Sequence, residues 1–355
     1  MTACANRTHG KAFVFLPGYR HGPLARVYEP IVVCLVEWLQ HRGIEHDVID
    51  RAKKQRHADF CSIDVAILVG PDTYSPKHDR YPLARLSANH TNLVVYNTEP
   101  LSTQRCTSAS WHFLRKASSA ARNQLEIWDY SNANLHALRS NATRCIKKGP
   151  LAAPNVDANV PLRFVPPGWH RSLGYRARIQ GRSGILPARD TRLFFLGEMR
   201  YRSRKCWAVL NRSNWLSEEF VSSGSTWGAN AYREVFERHT VFANLHRSCG
   251  NPQSPLETFR LSLLLNNGAT VLSELSDPDD MVAYRGLVHF CEYASLPRCH
   301  AQLRAEGVQP WEQVQRQFAD SFSVGTTFAR ARVATGVIAP LLPEAAPSSN
   351  VALLW

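Results

Sequence analysis

The sequence lacks any apolar run long enough to cross a lipid bilayer. Of its 355 residues, 44% are hydrophobic and 20% are charged, and polar residues interrupt every apolar stretch. A transmembrane helix would need about 20 predominantly apolar residues in succession. Low-complexity blocks and repeats of roughly 20–50 residues are also absent, which argues against a disordered or solenoid protein. We therefore predict a globular protein without a membrane span, long enough for two domains.

Cysteine pairs of the C-x-x-C type are missing as well. The nine cysteines are scattered, and their number is odd, which favours reduced thiols and a cytoplasmic location. N-x-S/T sequons begin at Asn6, Asn89, Asn141 and Asn211. Because such sequons mark surface loops of secreted proteins, a secretory lumen stays open as the alternative.

Several motifs that would indicate a known nucleotide-binding site or catalytic nucleophile are absent. The sequence has no G-x-G-x-x-G fingerprint, no P-loop and no G-x-S-x-G nucleophile elbow. The residues that could suggest a zinc site are His289, Cys291, Cys299 and His300. Their spacing fits no standard zinc finger, so we expect them to pack in the core. We predict no metal site.

An acidic D-x-D run extends from Asp277 to Asp280. Carboxylates spaced in this way can hold a metal on a diphosphate, but Pro278 and the surrounding Ser and Asp residues favour a turn. We interpret the run as a turn.

Basic residues exceed acidic ones by 42 to 29, which gives a formal net charge of +13, and arginines cluster between residues 171 and 205. Such a field attracts an acidic ligand, either nucleic acid or a nucleoside diphosphate. Because no helix-turn-helix, RNP or zinc-finger spacing accompanies the charge, nucleic acid is the less favoured partner. A basic nucleic-acid-binding protein is retained as an alternative.

Short apolar runs alternate with helical patterns along the chain, which predicts parallel, doubly wound α/β sheets. The predicted strands are 12–16, 45–50, 64–70, 92–101, 125–131, 162–169, 192–199, 240–246, 269–274 and 286–293. Helices are predicted near 30–42, 108–122, 206–212 and 311–323. The segment 171–190 is rich in Arg, Gly and Ser and lacks periodicity, so we interpret it as a linker.

The predicted domains follow from that linker. They are a Rossmann-like N-terminal domain over 1–170, a Rossmann-like C-terminal domain over 191–338 and a tail over 339–355. We expect the two sheets to face each other across a cleft.

The segment from Thr240 to Glu274 has the pattern strand, polar loop, helix, strand. We expect Ser254 to cap the helix, Glu257 to complete a capping box and Gly268 to end the helix in the left-handed conformation. A helix that begins beyond the carboxyl end of a strand favours an anion at its N-terminus. This pattern predicts a site for a phosphorylated ligand.

Six pieces of the sequence resemble, in order and spacing, glycosyltransferases of the GT-B fold with a group-1-like C-terminal domain. The pieces are NTEPL, IWDYSNAN, VPPGW, FLGEMRYRSRK, FANLHRS and ETFRLSLLLNNGATVLSE. The resemblance implies that the C-terminal domain binds a nucleoside-diphosphate sugar. It also implies that the N-terminal domain binds a glycan, protein or small-molecule acceptor, and that no cofactor is needed.

One glutamate of the family pattern is missing. Many retaining members carry a second glutamate eight residues after the first, where this chain has Leu265. If Gly268 is aligned instead, the position falls on Leu263. The sequence thus leaves two alternatives, an active glycosyltransferase and a catalytically silent protein that binds sugar nucleotides or glycans.

The resemblance also implies site residues. The candidate donor-binding residues are Arg202, Arg204, Lys205, His246, Glu257, Arg260 and Glu274. The cations following the strand at Gly197 would contact the pyrophosphate, and Arg260 would pair with a phosphate unless it lies on the surface. Glu274 would bind a ribose hydroxyl or cap the turn that follows it. The acceptor-side loops would contribute Gly18, Asn97, Ser131 and Asn134.

The candidate catalytic bases follow predicted strands. They are His21, Glu99 and Asp129. A transfer that inverts the anomeric centre needs one such group to accept the proton of the acceptor hydroxyl, whereas a retaining transfer does not. A single carboxylate after a strand can also serve only as a helix cap.

Overall fold

A computed structural model describes the chain in segments. These are residues 11–16, 28–50, 63–70, 83, 86, 91–101, 109–120, 125–140, 156–157, 159–175, 190–197, 204–211, 215–222, 229–246 and 249–330. They form two α/β units, each built around its own parallel sheet. The predicted fold class is confirmed, and the described residues contain no sheet that continues from one unit into the other.

The first unit has a six-stranded sheet in the order β2-β1-β3-β4-β5-β6, with every neighbouring pair parallel. Its strands are β1 Lys11–Leu16, β2 Glu45–Asp50, β3 Ile63–Val69, β4 Asn92–Asn97, β5 Leu125–Asp129 and β6 Leu162–Phe164. Strands β3, β4 and β5 are buried almost throughout because helices cover both faces. This burial explains their continuous apolar sequences.

The second unit has a five-stranded parallel sheet in the order β11-β10-β9-β7-β8. Its strands are β7 Leu193–Phe195, β8 Phe220–Ser222, β9 Val241–Asn244, β10 Thr270–Glu274 and β11 Val288–Cys291. Strand β8 was not predicted, because a three-residue edge strand carries too little periodicity to be recognised.

Eleven α-helices are described, numbered in chain order. They are α1 Glu29–His41, α2 Ala109–Ala120, α3 Asn132–Arg139, α4 Arg204–Leu210, α5 Trp215–Glu218, α6 Ala229–Arg238, α7 Thr258–Asn266, α8 Pro278–Ala283, α9 Leu296–Glu306, α10 Trp311–Phe322 and α11 Val324–Arg330. The interpretation of residues 277–280 as a turn is wrong, because they begin α8. There Asp277 accepts a hydrogen bond from the backbone N–H of Asp279, and Pro278 occupies the first turn.

The predicted start of the donor helix is also wrong. Helix α7 begins at Thr258, and Glu257 occupies the N-cap position without a side-chain capping bond. Ser254 instead accepts a hydrogen bond at its carbonyl from the N–H of Asp277 (3.0 Å). The N–H of Leu256 donates to the carboxylate of Asp280. The Ser254 N–H, which the capping box would have paired with Glu257, donates instead to the Asn251 carbonyl (3.0 Å).

The end of α7 is as predicted. Gly268 has a φ of +62° just beyond the C-cap residue Asn267. A Cβ atom at Gly268 would lie 2.1 Å from the carbonyl oxygen of Trp311. Both the backbone conformation and the approach of α10 require a glycine there.

Two disulfides overturn the expectation of reduced thiols. Cys206 at the start of α4 bonds to Cys249 in the loop after β9, and Cys291 at the end of β11 bonds to Cys299 in α9. Two residues of the group that could have suggested zinc thus pair with each other, and His300 is buried with its ring facing the Thr191 carbonyl. Sequence spacing missed these pairs because the fold determines which thiols meet.

The chain crosses between the two units at two adjacent places. The first crossing runs through Gly168 and Trp169, and the second joins Phe322 to α11. The N–H of Trp169 donates to the carbonyl of Phe322 (2.8 Å), so the crossings contact each other. Phe328 of α11 then stacks on Trp38 of α1, with ring centroids 4.8 Å apart. Residues 176–189 of the predicted linker over 171–190, and the predicted tail over 339–355, lie outside the described residues, and the domain boundaries stay a prediction.

The contact at Gly268 predicts a large cost for a single methyl group. Gly268→Ala should destabilise the protein by roughly 2–4 kcal/mol, because positive φ and overpacking both act there. Gly43 is the matched control, since its φ is +65° and a Cβ atom added there would have no atom within 4 Å. Gly43→Ala should cost about 1 kcal/mol. Equal losses in urea unfolding of the two variants would contradict the steric explanation.

The disulfides predict a protected set of cysteines. When the protein is purified and denatured without reductant, iodoacetamide should leave Cys206, Cys249, Cys291 and Cys299 unmodified and should modify Cys34, which is buried and free. Peptide mass spectrometry reads out each site. Reduction should lower stability by about 2–5 kcal/mol, as it does for small disulfide-bonded domains. Quantitative alkylation of all five cysteines before reduction would show that the bonds do not form.

Candidate functional site

Helix α7 lies where the two units meet. Phe259 in its first turn contacts Tyr28, Tyr96 and Tyr130 of the first unit, with ring centroids 5.9, 6.3 and 5.4 Å away. Tyr96 belongs to β4, and Tyr130 follows β5. The start of α7 therefore packs against the carboxyl edge of the first sheet, the edge at which open α/β sheets bind ligands. We call the region formed by residues 97–99, 129–131, 244–246, 257–260 and 274–276 the interdomain cleft.

Four predicted residues form one network on the first side of the cleft. Asp129 accepts hydrogen bonds from the Asn97 amide (2.7 Å) and the Asn134 amide (2.9 Å). The backbone N–H of Ser131 donates to the same carboxylate (2.9 Å). Burial raises the pKa of Asp129 well above its usual range, while these donors act in the opposite direction. Because both carboxylate oxygens are engaged, Asp129 is suited to hold the loops in place.

Glu99 is positioned by the same amides. The Asn97 and Asn134 side chains donate to the Glu99 carbonyl oxygen at 2.8 and 2.9 Å. Burial raises the pKa of the Tyr130 phenol, and the negative charges of Glu257, Asp129 and Glu99 raise it further. Negative charges from both units therefore act on the Tyr130 phenol.

Glu274 and His246 stabilise the loop after β9. The buried Glu274 carboxylate accepts from the backbone N–H of His246 and, at 2.8 Å, from that of Gly250. The His246 ring lies 2.9 Å from the Ser276 hydroxyl oxygen. The alternative that Glu274 caps the following turn is wrong, because Asp277 caps α8 itself.

Arg260 joins α7 to the ends of two strands. Its guanidinium donates to the Leu196 carbonyl (3.1 Å), the Asn244 side-chain oxygen (3.0 Å) and the Leu245 carbonyl (3.1 Å). Burial lowers the pKa of this group, but a guanidinium stays protonated in proteins. The alternative of a surface arginine is wrong, since these contacts direct the side chain toward the protein.

Glu257 presents its carboxylate at the start of α7. The side chain is 39% exposed and lies 4.0 Å from the nearer guanidinium nitrogen of Arg260. Because it makes no capping bond, its oxygens can accept hydrogen bonds from a ligand. Glu257 is thus placed differently from the engaged carboxylates of Asp129 and Glu274.

Asp280 is a site residue that the sequence did not identify. This fully buried carboxylate accepts from the Ser131 hydroxyl (2.6 Å), the Asn132 N–H (2.6 Å) and the Leu256 N–H (3.1 Å). Burial raises the pKa of Asp280 to about 6. The Asp-Pro pair could have indicated the start of α8, but no local pattern identifies a partner in the other unit.

The remaining predicted residues are only partly described. His21, Gly18 and Arg202 lie outside the described residues. Arg204 and Lys205 form the start of α4, next to Cys206, but the positions of their side chains are not described. Within the described ranges, no group of three or more His, Cys, Asp and Glu residues is arranged to hold a metal. No helix in those ranges is long and apolar enough to cross a membrane.

No protein-family model and no curated protein matches the chain. Solved structures do match. AviGT4, a glycosyltransferase involved in avilamycin A biosynthesis, is 13% identical with a TM-score of 0.54, covering 94% of this chain and 98% of that chain. A DNA-modifying β-glucosyltransferase, studied with and without its substrate uridine diphosphoglucose, is 12% identical with a TM-score of 0.52 (92% and 99% covered).

A third match is α-glucosyltransferase in complex with UDP, at 9% identity and a TM-score of 0.50, covering 92% of this chain and 96% of that chain. At such low identity a structural likeness establishes architecture and not reaction. Together with the two parallel sheets and the cleft between them, the matches confirm the predicted architecture. The chain has the GT-B fold of glycosyltransferases.

Proposed function

We propose that the chain is a glycosyltransferase that moves a sugar from a nucleoside-diphosphate sugar to an acceptor. The observation that carries this proposal is the placement of Glu257, a partly exposed carboxylate at the start of α7, the helix whose Phe259 packs on Tyr130 next to Asp129. The fold supports a sugar-transfer function, because proteins of similar architecture are glucosyltransferases described with UDP or uridine diphosphoglucose.

The donor diphosphate is proposed to lie between α4 and α7. Arg204 and Lys205 open α4, and the Cys206–Cys249 disulfide holds this turn beside the loop after β9. Cations there, together with Arg202, would neutralise the diphosphate, and the N-terminal end of α7 favours negative charge. Glu257 would then accept hydrogen bonds from hydroxyl groups of the donor.

The other predicted donor residues are assigned a supporting role. Arg260, His246 and Glu274 bind protein groups at the ends of β7, β9 and β10. Those contacts support the proposal that they fix the shape of the donor side without contacting the diphosphate.

On the acceptor side, Glu99 is the preferred candidate base for an inverting transfer. Its backbone is fixed by Asn97 and Asn134, whereas Asp129 already accepts three hydrogen bonds. Ser131 and the loops containing His21 and Gly18 complete the proposed acceptor side. A general base must reach the acceptor hydroxyl directly or through one water molecule.

A specific observation favours a second candidate, a nucleic acid as the acceptor or as the sole ligand. The chain carries a formal charge of +13, and one structural match is a DNA-modifying glucosyltransferase. Nucleic-acid binding would weaken steeply as salt increases.

A silent sugar-nucleotide binder would bind UDP-glucose and would neither hydrolyse it nor transfer its sugar.

Glu257→Gln tests the donor carboxylate. The variant should bind the preferred nucleoside-diphosphate sugar about 10–100 times more weakly by calorimetry, since hydrogen bonds to a charged group contribute roughly 1.5–3 kcal/mol. The melting temperature without ligand should hardly change, because the side chain is partly exposed. Glu312→Gln is the control, since Glu312 is an exposed glutamate in the first turn of α10. Unchanged affinity in Glu257→Gln would remove this residue from the donor site.

A second pair of variants tests the cations. Arg204→Met with Lys205→Met should weaken binding of a nucleoside diphosphate by about 2–4 kcal/mol, the scale of lost charge-assisted bonds. The control, Arg176→Met with Arg178→Met, removes the same charge from the predicted linker. Binding is measured with Mn²⁺ and with EDTA, so that any metal requirement is seen directly. Equal losses in both double variants would mean that the basic residues act only as a diffuse field.

A further inference from the structure

Helix α3 of the first unit is capped by a residue of the second unit. Ser131 occupies the N-cap position of α3 and makes no capping bond with its own side chain. The Asp280 carboxylate takes that place, accepting from the N–H of Asn132, the first residue of α3, and from the Ser131 hydroxyl. A negative charge at a helix N-terminus is stabilised by the helix dipole and by unpaired N–H groups.

The same carboxylate also binds the second unit. Asp280 accepts from the N–H of Leu256, the residue before Glu257. On the opposite side, the N–H of Ser131 donates to Asp129. Asp280 therefore binds Leu256, the neighbour of the proposed donor carboxylate Glu257, and it also binds Ser131 of the acceptor-side network.

Asp280 lies near the end of α7 that is farther from the first chain crossing. The Ser262 hydroxyl and the Asn266 amide of α7 donate to the carbonyl of Gly168 at the first crossing (2.8 and 3.2 Å). These contacts involve the middle and the end of α7, whereas Asp280 binds just before its start. The nine residues of α7 span about 13 Å at 1.5 Å per residue. Asp280 thus restrains rotation at the end of α7 farther from the crossing.

We infer that Asp280 is a positioning residue that holds the two domains in the arrangement where the start of α7, which carries Glu257, packs on Tyr130 next to Asp129. The inference rests on the proposed function for its catalytic consequence, but its structural part stands without it. The exposed pair of His136 and Asp279 (3.4 Å) spans the same boundary. Because both side chains are more than half exposed, this contact contributes little.

Asp280→Asn tests this role directly. Backbone N–H groups face both oxygens, that of Asn132 facing Oδ1 and that of Leu256 facing Oδ2. Whichever way an asparagine amide is turned, its NH₂ group would meet a backbone donor. Asp280→Asn is therefore nearly isosteric but breaks the contact between the domains.

The test measures domain arrangement and reaction separately. Small-angle X-ray scattering should show a larger radius of gyration for Asp280→Asn than for the wild type. Turnover with the preferred nucleotide sugar should fall at least about tenfold, while the affinity for UDP, which is proposed to contact the second unit alone, should change less than about threefold. Ser131→Ala should give a smaller change in the same direction, and Asp279→Asn, which removes an exposed charge from the same helix, should behave as the wild type.

Each outcome decides one question. If Asp280→Asn and Ser131→Ala scatter like the wild type and turn over as fast, the inference is wrong. If Asp280→Asn opens the domains while the wild type transfers no sugar from any nucleotide sugar, the domain contact stands and the proposed function fails. If Asp280→Asn does not fold, Ser131→Ala decides alone, since it deletes one of the three donors and retains the charge. A parallel loss of UDP affinity and turnover would indicate general damage and would also overturn the inference.

Discussion

The cleft depends on one interaction, the hydrogen bond between a buried carboxylate and a backbone N–H group. Asp129, Glu274 and Asp280 are fully buried, and each accepts such bonds from a loop at the carboxyl edge of a sheet. A buried charge without partners would be too costly to keep, so each acid fixes the loop that supplies its donors. The loops around the cleft owe their shape to these acids, because the polar segments offer little apolar surface to bury.

The hydrogen bonds distinguish carboxylates that hold the loops in place from carboxylates that can still bind a ligand. An acid whose oxygens are saturated by N–H groups can hold geometry but has little capacity left for a ligand. Glu257, partly exposed and outside such a network, has that capacity. The distinction between Glu257 and the three buried acids is the main reason for assigning it to the donor.

The sequence predicted the fold well where periodicity was strong. Strands such as β3 and β4 are continuous apolar runs because both faces are buried, and such runs are visible in one sequence. Asn97, Ser131 and Asn134 were predicted as acceptor-side residues and Asp129 as a candidate base, but the hydrogen bonds that join them were not predicted. The short strand β8 and the one-turn helix α5 carry too few residues for a period to appear.

Long-range partners explain the remaining errors. Ser254 and Glu257 fit the local pattern of a capping box, but the Leu256 N–H between them is bonded to Asp280 of α8. The pairing of Cys206 with Cys249 and the contact of Asp280 with α3 join residues far apart in sequence. No composition or spacing rule contains that information, because only the arrangement of the sheets in the folded chain brings these residues together.

The two chain crossings have a mechanical consequence. Two domains joined by a single flexible segment of chain can rotate about it in every direction. Here the crossings at Trp169 and Phe322 are hydrogen-bonded to each other, and Phe328 anchors the returning chain on Trp38. A joint made of two adjacent chain segments bends readily about the line that passes through both segments, and it resists twisting. Such a joint favours a hinge motion that changes the width of the gap while keeping its two faces in register.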